Sequence, residues 1–158
     1  MLRTQAASSI LVIGRIHAAG YHTIARTVAA DTAARDQIMV PFLREGLRTG
    51  DKCMCILDDE VDGVRTALGA DGGLSTDAER HQLDIRSSKE TYLRRGAFST
   101  REMLSFWDDS VGAALNADGF PFVRSAGETT WTLKELPGLY DFLTYRSSST
   151  VSCFAIPR

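Results

Sequence analysis

Apolar and polar positions repeat with two different periods along this chain, and the switches between them mark out its elements. Ser9–Gly14 (SILVIG) reads as a first strand that stops at Gly14. From about Ala25 to Leu47 the period turns helical: Ile38, Met39, Phe42, Leu43 and Leu47 follow four-residue steps, with Arg44, Glu45 and Arg48 off the stripe. Pro41 interrupts it, so the helix either restarts there with proline in its first turn or kinks. Gly50-Asp51 turns the chain into Lys52–Leu57 (KCMCIL), an unbroken apolar run of the kind found in strands covered on both faces, closed by Asp58, Asp59 and Glu60. A short helix over Val61–Leu68 precedes a glycine-rich loop at Gly69–Thr76, and Gln82–Arg86, with Leu83 and Ile85 alternating, reads as the next strand. Ser99-Thr100-Arg101-Glu102 has the spacing of a capping box. The helix it opens carries Met103, Trp107, Val111 and Leu115 on one stripe and stops near Gly119. Phe122–Ser125 is strand-like and runs toward Gly127-Glu128-Thr129-Thr130-Trp131. Pro137 precedes a last helix with Leu139, Phe142 and Leu143 inward, and Thr150–Ile156 reads as a terminal buried strand.

Strands alternating with helices predict an α/β fold, a three-layer sandwich around a mostly parallel central sheet. No repeat, low-complexity tract or linker divides the chain, so residues 1–158 are expected to form a single domain. The 44% hydrophobic content supports a packed core, and 18 basic against 20 acidic side chains leave no basic footprint for direct nucleic-acid binding. No apolar run approaches the length of a membrane span, and the N-terminal stretch is too short for a signal peptide, so the expected setting is cytoplasmic with no membrane contact. Cys53 and Cys55 alternate on one face of a strand; they read as small core hydrophobes, the other reading being a metal or redox pair, which no CxxC or HExxH motif supports. No metal and no cofactor is therefore expected.

In such a sheet ligands gather at the carboxyl ends of the strands. The segment after the first strand, Gly14-Arg15-Ile16-His17-Ala18-Ala19-Gly20, lacks both GxxxxGK[ST] and the glycine alternation of a dinucleotide loop, so the fold carries no phosphate cradle there. A GxSxG elbow is absent too. His17 lies where a ligand could approach, with a structural histidine as the plain alternative. Asp58–Glu60 stand at a strand end, where acids serve as bases or simply cap the next helix. Glu128, beside Trp131, sits either in an apolar pocket that raises its pKa or against a basic partner. Tyr92 and Phe98 flank Arg94-Arg95-Gly96 in an irregular segment suited to lining a pocket, whereas Trp107 belongs to the packing stripe.

Taken together, PFLREGLRTGDKCMCILDD, ETYLRRGAFSTREMLSFWDD and GFPFVRSAGETTW resemble the MEDS domain, the sensory domain of methanogen and methylotroph regulators of DcmR type. The likeness runs from about Ile38 to the C-terminus, and its Pro-Phe, Thr-Tyr, Phe-Trp and Gly-Glu-x-x-Trp elements fall in order. The family's opening His-x-Cys-x-x-Tyr pattern is met at His17 alone, with Ala19 and His22 in the other two places. The resemblance implies a degenerate RecA-like frame that lost its phosphate loop. It also implies a non-catalytic domain in prokaryotic signalling and transcription regulation that senses small hydrocarbon derivatives. The ligand would be a small apolar or weakly polar molecule lined by His17, Tyr92, Glu128 and Trp131. The output would pass to a signalling partner protein, whether a kinase, an anti-sigma-type protein or a DNA-binding regulator. Two other classes stay open: a nucleotide-dependent enzyme or hydrolase using Glu128 or Asp58–Glu60, and a scaffolding module forming a homodimer through a sheet edge or the last helix.

Overall fold

The computed structural model describes residues 9–17, 20–58, 61–69, 81–91 and 93–128. Tyr92, Trp131, the helix expected after Pro137 and the strand expected at Thr150–Ile156 lie outside them.

The described residues begin with a hairpin rather than a strand and a helix. Strands β1 (Ser9–His17) and β2 (Gly20–Ala29) pair antiparallel from Ser9 opposite Ala29 to His17 opposite Gly20, with a register shift between Arg15 and Ile16. The expected stop at Gly14 and helix start at Ala25 are both corrected. The alanines of residues 25–30 suggested a helix, but Thr23, Ile24, Thr27 and Val28 are β-branched, and pairing with β1 prevails over a weak propensity. The helix begins instead at α1 (Thr32–Thr49), where Asp31 accepts a hydrogen bond from the Ala34 amide at 2.8 Å.

Helix α1 runs through Pro41 without a restart. Pro41 and Gln37 are both exposed, so the carbonyl deprived of its donor is open to water. Its buried stripe is Arg35, Met39, Leu43 and Gly46. At the far end Gly50 takes the left-handed conformation (φ 81°), and the Asp51 amide closes on the Gly46 carbonyl at 2.8 Å. Gly46 itself is required by close approach. A Cβ there would stand 2.5 Å from Arg124 Cδ and 2.7 Å from Cys53 Sγ.

The remaining elements are β3 (Lys52–Leu57), α2 (Val61–Gly69), β4 (Leu83–Ser87), the single turn α3 (Ser88–Thr91), α4 (Thr100–Gly112, extended by a π-helical turn over Ala113–Ala117) and β5 (Val123–Glu128). The sequence reading placed β3, α2 and β4 to within a residue or two. The capping box is present in part: Ser99 Oγ accepts from the Glu102 amide at 3.4 Å, while the Glu102 carboxylate turns to Arg95 at 3.3 Å.

The five strands among the described residues lie in the order β2-β1-β5-β3-β4. β5, β3 and β4 are mutually parallel, whereas β1 runs against β5, so the sheet is mixed. Alternation along β3 sorts the core into two layers. Cys53, Cys55 and Leu57 face α1 and α2, packing with Leu11, Met39, Leu43, Val64 and Leu68. Met54 and Ile56 face α4, packing with Ile16, Phe98, Met103, Trp107, Val111 and Val123. Among the described residues no helix is long and apolar enough to cross a membrane.

Candidate functional site at the carboxyl ends of the parallel strands

Glu128 is the last residue of β5, and Asp58 directly follows β3, so two neighbouring parallel strands end side by side. One oxygen of the Glu128 carboxylate, Oε2, accepts from the Asp58 backbone amide at 3.0 Å and from Arg35 Nη1 at 3.0 Å. Arg35 comes from the first turn of α1. Its Nε and Nη2 both reach Asp36 Oδ1 at 2.8 Å. Arg35 is 1% exposed and Glu128 6%, a depth at which a charge needs an opposite one beside it. Burial opposes the charge on Arg35, but the Asp36 hydrogen bond and the negative charges of Glu128 and Asp36 outweigh it and raise its pKa above the ordinary value.

Of the two surroundings expected for Glu128, the structure places it against a basic partner. Arg35 itself was not singled out in the sequence. The signal was there, since Arg35 stands four residues before Met39 and eight before Leu43, on the stripe that α1 buries. The carboxylate thus ties the ends of two strands to the start of a helix, and any molecule that displaces it alters all three.

His17 stands elsewhere. Ile16 pairs with Val123 and Leu11 with Glu128, so His17 and Glu128 mark opposite ends of the β1–β5 ladder, at least five residue steps or about 17 Å apart. The cause is the direction of β1. The sequence reading expected a mostly parallel sheet and looked for the ligand after the first strand; running antiparallel to β5, that strand delivers His17 to the amino ends of β3 and β5. There the His17 ring packs edge-on against Phe122, 5.5 Å between centroids. The structure does not bring His17 and Glu128 into one pocket.

That amino end holds a second cluster, which the sequence did not reveal. Asp51, fully buried, accepts from Arg15 Nε and Nη2 at 3.2 and 3.3 Å and from Arg124 Nε at 2.8 Å. Arg124 also donates to the Phe42 carbonyl at 3.2 Å, and Arg15 stacks 3.5 Å from the centre of the Phe122 ring. Two cations on one carboxylate join β1, β5 and the end of α1.

Cys53 and Cys55 share one face of β3, as expected, and both are buried free thiols. Cys53 Sγ lies 3.4 Å from the Leu43 carbonyl, and Cys55 Sγ 3.4 Å from Met39 Sδ. Burial pushes the Cys53 thiol up to about 12 and raises that of Cys55 as well. With thiolate disfavoured in the folded state, both resist alkylation by iodoacetamide at pH 8, and in a Cys153→Ser background labelling awaits denaturant. The same upward shift means that the stability tied to these thiols is present below the unfolded thiol value and is lost as pH rises through the folded one. Rapid labelling of the native variant would contradict this burial. Among the described residues no group of three or more His, Cys, Asp or Glu could hold a metal ion.

Comparison with known proteins adds one finding. The family model described as MEDS, the MEthanogen/methylotroph, DcmR Sensory domain, matches residues 26–151. That span contains Glu128, Arg35, Asp58, Tyr92 and Trp131, while His17 falls before it. No curated protein and no solved structure matches the chain.

Proposed function

Because the chain belongs to the MEDS family of sensory domains, we propose that it is a non-catalytic ligand-sensing domain of prokaryotic signal transduction whose ligand enters at the carboxyl ends of β3 and β5. The ligand on this reading is a small apolar or weakly polar molecule, a hydrocarbon derivative. The frame is taken as a degenerate RecA-like sheet without a phosphate grip. The observation that carries the reading is the buried Glu128 carboxylate shared between Arg35 and the Asp58 amide. Such a contact has alternative arrangements of comparable energy once a guest supplies or removes a hydrogen bond, and a guest with different affinity for the two shifts the population between them. The movement would reach a signalling partner, a kinase, an anti-sigma-type protein or a DNA-binding regulator, through the start of α1 and the segment after β3.

Isothermal titration of the full chain with short alcohols, halocarbons and carboxylic acids, and with ATP, tests this. At least one of the small molecules is expected to bind saturably, and Glu128→Gln is expected to weaken it. Micromolar binding of ATP with no binding of the small molecules would contradict the proposal, and nucleotide turnover lost in Glu128→Ala with the fold intact would favour an enzyme instead.

A further inference from the structure

Helix α4 does not lie flush against β4, the outermost of the described strands on that side. A groove of about 300 Å³ opens between them, with Arg86, Arg94, Glu102, Phe106 and Asp109 in its walls. It continues toward the amino end of β4 as a second hollow of about 320 Å³ that shares Arg86 and Asp109. Some of its charges are already engaged. Arg86 holds Asp84 through Nε at 3.0 Å and Nη2 at 2.9 Å, and lies 5.3 Å from the centre of the Phe106 ring. Glu102 faces Arg95 at 3.3 Å. Arg94 and Asp109 are both exposed, and neither makes an ion pair among the described residues.

Their placement has an order. Glu102, Phe106 and Asp109 are spaced four and three residues apart and so share one face of α4. From Glu102 to Asp109 is about 10 Å of helix. Arg94 adjoins Arg95, whose side chain reaches Glu102, so Arg94 belongs to the start of α4 and Asp109 lies two turns on, past Phe106; with Arg86 held by Asp84 and Glu102 by Arg95, Arg94 and Asp109 are the two wall charges outside the ion pairs of the described residues. We infer that this groove is a binding site for a small linear zwitterion, an ω-amino acid in its simplest form. The carboxylate meets Arg94 beside the amino end of α4, where the helix dipole adds to the attraction. The methylene chain lies along Phe106, and the ammonium meets Asp109. A plain anion would face Glu102 and Asp109, and a plain cation Arg86 and Arg94; only a molecule charged at both ends suits both walls. The site is separate from the Glu128 carboxylate and does not rest on the reading of an apolar ligand there.

Titration calorimetry of the full chain with glycine, β-alanine, γ-aminobutyrate and ε-aminocaproate, with butyrate and butylamine as single-charge controls, tests the inference. One of the two longer amino acids is expected to bind saturably, about tenfold or more tighter than either control. Arg94→Ala and Asp109→Asn are each expected to weaken it about tenfold, the effect of about 1.4 kcal/mol for one charge-assisted contact. Both side chains are exposed, so unchanged thermal melts accompany the loss. Absence of saturable binding by all four amino acids, equal binding of a control, or binding untouched by both substitutions overturns it.

Discussion

Glu128→Ala is expected to lower the unfolding free energy by about 2–4 kcal/mol, because it takes from the buried Arg35 guanidinium one of its two carboxylates, leaving the partly exposed Asp36, and removes the Glu128 acceptor from the Asp58 amide. For a domain of this length that corresponds to a fall in Tm of about 4–16 °C. Removing the partner as well separates the strength of the pair from the penalty of breaking it. In Arg35→Met/Glu128→Leu both charges are gone and the volume is kept, so stability is expected to return to within about 1–2 kcal/mol of the parent. Urea unfolding with matched m-values reads both. A loss below about 1 kcal/mol in Glu128→Ala would mean that the carboxylate is not held as described.

The second large effect is at the other end of the sheet. Asp51→Asn is expected to cost about 2–4 kcal/mol, since Arg15 and Arg124 then face each other with no carboxylate between them. The cost falls short of the full price of two buried charges because the Arg15 side chain is 33% exposed and can hydrate. The expected ranking is Asp51→Asn worst, then Arg124→Met, then Arg15→Met, the last within about 1 kcal/mol of the parent. The two clusters stand at opposite ends of the β1–β5 ladder and share no residue, so a Glu128→Ala/Asp51→Asn double variant should be additive to within about 0.5 kcal/mol. Substantial coupling would instead reveal a rigid path between the ends.

The parts of this fold legible from sequence are those in which one face is buried and the other is not. KCMCIL gave itself away by being apolar on both sides, and Met103, Trp107 and Val111 by their spacing around Asp108 and Asp109; each is buried or exposed as the period requires. What the pattern hid were choices made by pairing. Whether residues 20–29 join a hairpin or a helix depends on β1 lying alongside, and no local period records that partner. Strand direction is equally silent: the run SILVIG looks the same parallel or antiparallel, yet its direction decides which end of the sheet His17 occupies. Glu128 was legible as a residue of interest because an acid ending a strand beside an aromatic is unusual. Its partner was not, because an arginine on a helix reads as solvated until the helix is docked and Arg35 proves to share the stripe of Met39. The Asp51 cluster was hidden for the same reason, an aspartate in a Gly-Asp turn being the plainest of turn residues.

Amide hydrogen exchange of the full chain, followed with and without each of the short alcohols, halocarbons and carboxylic acids, probes most directly whether the carboxyl ends of β3 and β5 receive the signal. The expected result is that at least one of these molecules changes exchange at Asp58 and in the first turn of α1 together, while the amides around Asp51 and Arg15 keep their rates. Unchanged exchange at Asp58 with every small molecule, alongside a change there on adding ATP, would contradict it.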